Sequence, residues 1–222
     1  MADLGTVVSR VTRITTAWIQ DVNNFIYRSI GSSGGSALVG FIASGVGAVL
    51  RTIQSKLRET ISVADFGAVG DGVADDTTAI QAAITAASVY PVRNVLFPPG
   101  NYRTTATLTM PSDAGRNFSL IGQGNASYGS MLSGVLITGD HTAGPVVRLQ
   151  TSGQRIENIV VTASAARTAG SRGSNFGVLI EPPDTSGATI EGASLRNVTV
   201  ANQPFHGVVT SGAMFLCDFA GV

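Results

Sequence analysis

Charge is scarce in this chain. Only 13% of its 222 residues are Asp, Glu, Lys or Arg, and 14 basic against 14 acidic side chains give a formal net charge of zero. A general nucleic-acid or anionic-membrane binder needs a basic excess, so neither class fits. Cysteine is scarcer still. Cys217 stands alone, which excludes an internal disulfide, and no Cys/His spacing points to zinc. In its apolar run Cys217 reads as a small buried hydrophobe. Aromatics are 6% of the chain while glycine reaches 27 residues, a balance that favours strands and turns over a helix bundle. Long hydrophobic runs are missing too: Ala37 to Leu50 is apolar but glycine-rich and too short to span a bilayer. No secretory signal is legible, since Met1-Ala2-Asp3 opens with an acid and no clean apolar segment follows Arg10 and Arg13.

What is present is concentrated between Ser62 and Gly100, SVADFGAVGDGVADDTTAIQAAITAASVYPVRNVLFPPG. Val69-Gly70-Asp71-Gly72 is turn chemistry, with glycines free to take φ > 0 and Asp71 able to bond its own backbone. Asp75-Asp76 stands where a helix N-cap belongs, facing free N–H groups and the positive end of the helix dipole. From Thr77 to Ser88, Ala79, Ile80, Ala83, Ile84 and Ala87 fall on one helical face. Tyr90-Pro91 ends that helix, because the residue before proline is pushed out of the α region. Asn94 to Phe97 is a short apolar run stopped by Pro98-Pro99-Gly100, the pattern of a buried strand.

DFGAVGDGVADDTTAIQAAI followed by VLFPPGNY resembles the opening of the pectate-lyase-like right-handed parallel β-helix found in bacteriophage tailspikes. The resemblance runs from about Val39 to Ile121 and takes in the lead-in VGFIASGVGAVLRTIQSKLRE. It implies that the short helix covers the open N-terminal end of a β-helix and that the PPGxY step starts the first coils. The competing reading is a generic βαβ-like start to another α/β domain.

Before that stretch lie two smaller units. Ile14, Trp18, Val22 and Phe25 recur at helical spacing, with Thr15 or Thr16 as N-cap and Gly31 to Gly35 as stop and linker. A helix this short is not stable alone and must pack on something. It can pack on this chain's own N-terminal residues, or on copies of itself or a partner. Leu38 to Ile42 then reads as a strand, Gly45-Val46-Gly47 as a turn and Val49 to Leu57 as a short amphipathic helix. The first 60 residues hold six of the 14 basic and three of the 14 acidic side chains, a mild lean that a solvated helix face explains.

After Gly100 short apolar runs alternate with Gly, Ser, Asn and Asp. Strands are expected at Thr105–Met110, Phe118–Ile121, Val135–Thr138, Val146–Leu149, Ile156–Thr162, Val178–Ile180, Leu195–Val200, His206–Thr210 and Met214–Phe219. Asn158-Ile159-Val160-Val161 recurs as Asn197-Val198-Thr199-Val200, and Val147-Arg148-Leu149 is echoed by Val178-Leu179-Ile180 and by Val208-Val209. Such echoes are the trace of stacked coils of irregular length, and they favour a β-helix over a β-sandwich. Asn158 and Asn197 suit tight corners, since asparagine tolerates the left-handed region.

Catalytic chemistry is hard to find. Asp71, Asp75 and Asp76 lack the spacing and closing Glu of a calcium loop, and turn plus N-cap accounts for them. Glu157, Glu181, Asp184, Glu191 and Asp218 are the acids of the coil region. They form no paired motif of the kind polysaccharide hydrolysis wants. His141 and His206 are lone histidines, and Gly122-Gln123-Gly124 lacks the helix a phosphate loop needs. No catalytic, metal or cofactor site is expected from these residues.

The expected fold is therefore mainly β, a right-handed parallel β-helix preceded by a small helical N-terminal anchor, with a trimer implied by the resemblance. Residues 1–35 would be the virion-anchoring helix and linker, 36–60 a strand-helix connector, and 61–222 the capping helix and first coils. Ile14, Trp18, Val22 and Phe25 are the candidate contacts to the virion or within the trimer. The resemblance implies a tailspike or tail fibre made in the host cytoplasm and carried on the virion tail. Its partners would be a tail hub, nozzle or adaptor protein and, through later coils, a host surface polysaccharide. The apolar end at Phe219 to Val222 leads to the expectation of a longer protein or of a very short fibre shielded by trimer contacts; in a longer protein the later coils are where a polysaccharide depolymerase site would lie.

Overall fold

The computed structural model describes residues 16–30, 32, 34–89, 93–112, 117–124, 134–164, 176–182, 189–203, 206–211, 214–215 and 218–220. The chain divides into two compact units, Met1–Glu59 and Thr60–Val222.

The second unit is built from three stacked parallel sheets and a two-stranded parallel one, Ile190–Glu191 with Met214–Phe215. The first holds Ile61–Ser62, Asn94–Phe97, Ser119–Gly122, Arg155–Glu157, Ser194–Arg196 and Asp218–Ala220. The second holds Asp71–Asp75, Gly100–Thr104, Val135–Gly139, Val160–Ala163 and Thr199–Ala201. The third holds Leu108–Thr109, Val147–Leu149, Phe176–Ile180 and His206–Thr210. Followed in order, the chain visits the first, second and third sheets in turn and returns one rung higher. Every pairing within these sheets is parallel. This is a parallel β-helix, wound in the right-handed sense that β-crossovers favour.

Stacking puts like residues over like. Val95, Leu120, Ile156 and Leu195 are register partners on successive rungs of the first sheet, and all four are fully buried. Leu108, Val147 and Val178 form the equivalent buried column on the third sheet, continued by Val208. The two sequence echoes are register pairs as well, with Val160 and Val161 beside Thr199 and Val200, and Val147 beside Val178.

The corners explain where the strand boundaries differ from expectation. Ile156–Thr162 is not one strand but two, Arg155–Glu157 and Val160–Ala163, broken at Asn158 with φ 56°. Leu195–Val200 breaks likewise at Asn197 with φ 50°. Asparagine takes this left-handed conformation at low cost, and the two side chains stack, with Asn197 Nδ2 donating to Asn158 Oδ1 at 2.9 Å. Gly122 occupies the same corner one rung below. A Cβ there would lie 2.1 Å from the Asn158 carbonyl oxygen, so only glycine fits. Thr105–Met110 shrinks to Leu108–Thr109 because the Thr105 N–H bonds Thr77 Oγ1 at 2.8 Å instead of a ladder partner. Met214–Phe219 also resolves into two strands, Met214–Phe215 and Asp218–Ala220.

The helix Thr77–Val89 buries Ile80, Ala83, Ile84 and Ala87 on the first coils. Tyr90-Pro91, read as its stop, lies outside the described residues. The PPGxY step is held by its own aromatics: Phe97 and Tyr102 meet edge to face at 5.5 Å, and the Tyr102 hydroxyl donates to the Pro98 carbonyl at 2.8 Å.

The first unit is built differently. A helix over Thr16–Asn23 runs into a π-helical stretch, Asn24–Ile30, and a short helix follows at Gly35–Leu38. The strand expected at Leu38–Ile42 is only Gly40–Phe41, paired antiparallel with Arg51–Thr52. That pairing claims the start of the helix expected over Val49–Leu57. The helix begins at Ile53, where Thr52 caps it by accepting from the Ser55 N–H at 3.0 Å. Glu59 ties this end together by bonding both Arg51 and Lys56.

Candidate functional site

The aspartates of the opening motif are structural bonds rather than a metal cradle. Asp71 Oδ1 accepts from the Val73 and Ala74 N–H groups at 2.8 Å each, which holds its carboxyl below the usual carboxylate range. The turn reading of this stretch is extended by the fold, since Asp71–Asp75 is also the edge strand of the second sheet. Asp75 faces the helix start and accepts from Thr77 N–H at 3.1 Å. Burial pushes its carboxyl up, but bonds from Thr105 and Thr77 outweigh that and hold it at about 2. Asp76 is buried and turns away from the helix, taking the Val69 and Gly70 N–H groups at 2.7 and 3.1 Å. Burial, aided by the Asp76 charge, pushes the neighbouring Tyr102 hydroxyl up to about 12. Gly70, at φ 68°, is a required glycine because a Cβ would press on the Tyr102 ring at 3.0 Å.

A second polar cluster escaped the sequence reading. Asp140 accepts from Arg103 Nε at 2.8 Å and from the Ser164 hydroxyl, while Arg103 Nη1 reaches the Val73 carbonyl at 3.3 Å. These residues come from four successive rungs, so nothing local in the sequence links them. Ser164 and Arg103 hold the Asp140 carboxyl below its ordinary range. Bonded to Arg103 and to Ser164, the Asp140 carboxylate braces successive rungs of the second sheet.

The remaining acids are scattered. Glu157 pairs with Arg155 at 3.2 Å, Glu181 follows the strand Phe176–Ile180, and Glu191 is exposed beside Ile190. His141 Nε2 lies 3.0 Å from the Pro145 carbonyl oxygen. Asp184 and Cys217 lie outside the described residues, and Asp218 and His206 are placed only by their strands. Among the described residues no three His, Cys, Asp or Glu side chains gather where a metal could sit. Beside the capping helix an uncharged cleft of about 510 Å³ is lined by Gln81, Thr85, Ser88, Thr109, Met110 and Gln150, among others.

The first unit carries most of the exposed large apolar side chains among the described residues. Among its described residues only Gly35 is buried. Trp18 is 52% exposed, Phe25 56%, Tyr27 76% and Ile42 60%. Val22 is half-buried, and Ile14 lies outside the described residues. The π-helical winding at Asn24–Ile30 carries Phe25 and Ile26 off the plain 3.6-residue period that the sequence pattern assumed. No described helix is long and apolar enough to cross a membrane.

Comparison with known proteins places the second unit. Residues 60–181 match the family model described as rhamnogalacturonase A/epimerase, pectate lyase-like. The tail spike protein of Shigella phage Sf6 is 35% identical over 139 residues, covering 59% of this chain and 20% of that protein. Mannuronan C5-epimerase AlgE6 of Azotobacter vinelandii is 56% identical over 52 residues, 23% of this chain and 6% of the epimerase. The structure of the AlgE6 A-module aligns with a TM-score of 0.51 at 26% identity, covering 69% of this chain and 40% of the module. Tailspike protein 3 of bacteriophage CBA120 aligns with a TM-score of 0.52 at 16% identity, covering 93% of this chain and 35% of that one. This chain thus spans a fifth or less of the length of these two curated relatives.

Proposed function

Because this chain belongs to the rhamnogalacturonase A/epimerase, pectate-lyase-like family, we propose that it is the N-terminal part of a bacteriophage tailspike that holds a host-recognition shaft on the virion tail. In this reading residues 1–35 anchor, residues 36–60 connect, and residues 61–222 start a β-helix that assembles as a trimer. The observation that carries it is the contrast within one chain. A β-helix with a continuous core follows a segment whose apolar side chains, Trp18 and Phe25 among them, lie open. The tail-spike relative supports the reading, and so does a tailspike structure whose fold runs along 93% of the chain.

Trp18, Val22 and Phe25, with Ile14 before them, are the contacts to a tail hub, nozzle or adaptor protein, or between copies. The exposed apolar area of Trp18 and Phe25 fits an apolar seat better than an ionic one. The protein would be made in the host cytoplasm and end on the virion. The test is to fuse residues 1–60 to a fluorescent reporter and mix it with particles stripped of their spikes. Retention on tails, lost in W18A/F25A, is the expected result. A fusion that stays off the tails at every concentration overturns the anchor reading.

A second reading concerns the whole protein. The 56% identity to an epimerase over 52 residues favours a polysaccharide-modifying β-helix, with its chemistry on coils beyond Val222. Loss or alteration of host capsule or lipopolysaccharide on incubation with whole spikes is its expected mark. Unchanged polymer would leave the shaft as a binding structure.

A further inference from the structure

Among the described residues the third sheet has no strand in the first coil. Its lowest rung, Leu108–Thr109, is therefore an edge. On the inner side of that rung the ladder is complete, with Leu108 N–H and Met110 N–H donating to Val146 and Arg148 carbonyls at 2.9 Å each. Thr109 faces the other way, and an unpaired N–H and C=O at a sheet edge is a template for another strand. Here both groups are taken by one side chain. Gln81 Oε1 accepts from Thr109 N–H at 3.0 Å, and Gln81 Nε2 donates to the Thr109 carbonyl at 3.0 Å.

We propose that Gln81 is a surrogate strand: its amide presents one donor and one acceptor at the spacing of a backbone residue, closing the third sheet against strand addition by a second copy of this chain. The helix Thr77–Val89 occupies the chain position of the missing strand, between the first-coil strand Asp71–Asp75 and the next rung of the first sheet. Its buried face, Ile80, Ala83, Ile84 and Ala87, fixes where Gln81 points. At the other two first-coil strands the side-chain bonds are local and take only N–H groups: Asp71 Oδ1 those of Val73 and Ala74, and Asp65 Oδ2 that of Ser62 as part of the cap of the turn Val63–Phe66.

The test uses the full chain and two variants. Q81L keeps the volume but removes both bonds. Exchange of the Thr109 amide, followed by mass spectrometry on peptides covering Thr105–Pro111, should quicken roughly ten-fold. Light scattering should show association that rises with concentration. Q81E keeps an acceptor for Thr109 N–H but sets a negative oxygen against its carbonyl, and protonation restores a donor there. No charged side chain is among the described residues lining the surrounding cleft, so the variant should associate at about pH 8 and recover near pH 4, measured against wild type at each pH. If Q81L does not fold, the pH response of Q81E decides. Wild-type exchange and wild-type scattering in a folded Q81L, or a Q81E that behaves alike at both pH values, overturns the proposal.

Discussion

In the described coils of residues 60–222 the buried apolar side chains stack on those of the rung beneath. Leu120 lies over Val95 and under Ile156, and none of the three meets solvent. In residues 16–59 apolar side chains are as frequent, but none of the described ones is buried. Trp18, Phe25 and Ile42 remain half or more exposed, and the order comes from caps and ion pairs such as Thr52 on Ser55 N–H and Arg51 with Glu59. The difference teaches that hydrophobic content alone does not make a core. A short helix buries a face only against a partner surface, whereas a coil supplies that partner by repeating itself.

The sharpest way to break this contrast is a pair of truncations. I156A should cost about 2–5 kcal/mol in urea unfolding, since it leaves a cavity in a filled column. W18A should change the stability of residues 60–222 by no more than about 0.5 kcal/mol while abolishing whatever binding the first unit has. Equal costs would mean that the two regions share one core.

Next in size is G122A. Its added methyl collides with the Asn158 carbonyl oxygen, a backbone atom that cannot swing away, so about 1–3 kcal/mol should be lost. Gly45 and Gly47, with open space around them in the first unit, offer the contrast on the crowding side. Smaller again is N197A, expected to cost about 1–2 kcal/mol for the left-handed backbone. N197G should recover most of it. Thermal melts of the three proteins check the order.

The mildest probe is acid. Asp75 is held at about 2 from 3.8, and Asp71 and Asp140 are lowered as well. A depressed folded pKa means that the unfolded chain binds the proton first. Their stabilisation is therefore complete above the unfolded value and is lost as pH falls through the folded one. Residues 60–222 should lose stability from about pH 4 down towards pH 2, and D75N should flatten that decline. An unchanged pH profile in D75N would show that its bonds to Thr77 and Thr105 carry no net stability.

The β-helix was legible because its signals are local or repeated. The VGDG turn, the helix from Thr77, the PPG step and the two echoes each sit within a few residues, and the echoes turned out to be register pairs. The strand ends were less legible. Val160 and Thr162 continue the apolar run of Ile156, and only the φ of Asn158 shows that the chain has turned onto another sheet. The N-terminal helix was readable as a periodic stripe from Trp18, but the π-helical winding after Asn23 was not. Polar links between rungs were invisible. Arg103 and Asp140 are 37 residues apart, and Gln81 and Thr109 are 28 apart.

By itself, the sequence determined the kind of architecture, because periodicity, turn chemistry and helix capping act over a few residues and are written in their order. It also determined that the helix carrying Trp18 and Phe25 needs a surface to pack on, because a helix that short is not stable alone. Only the tertiary structure decided which residues meet across rungs, since loops of irregular length set the register and no short-range rule counts them. That is why Asp140 became a brace between coils, Gly122 a required glycine and Gln81 the partner of an edge. Each depends on what the chain places beside it a full turn of the helix away.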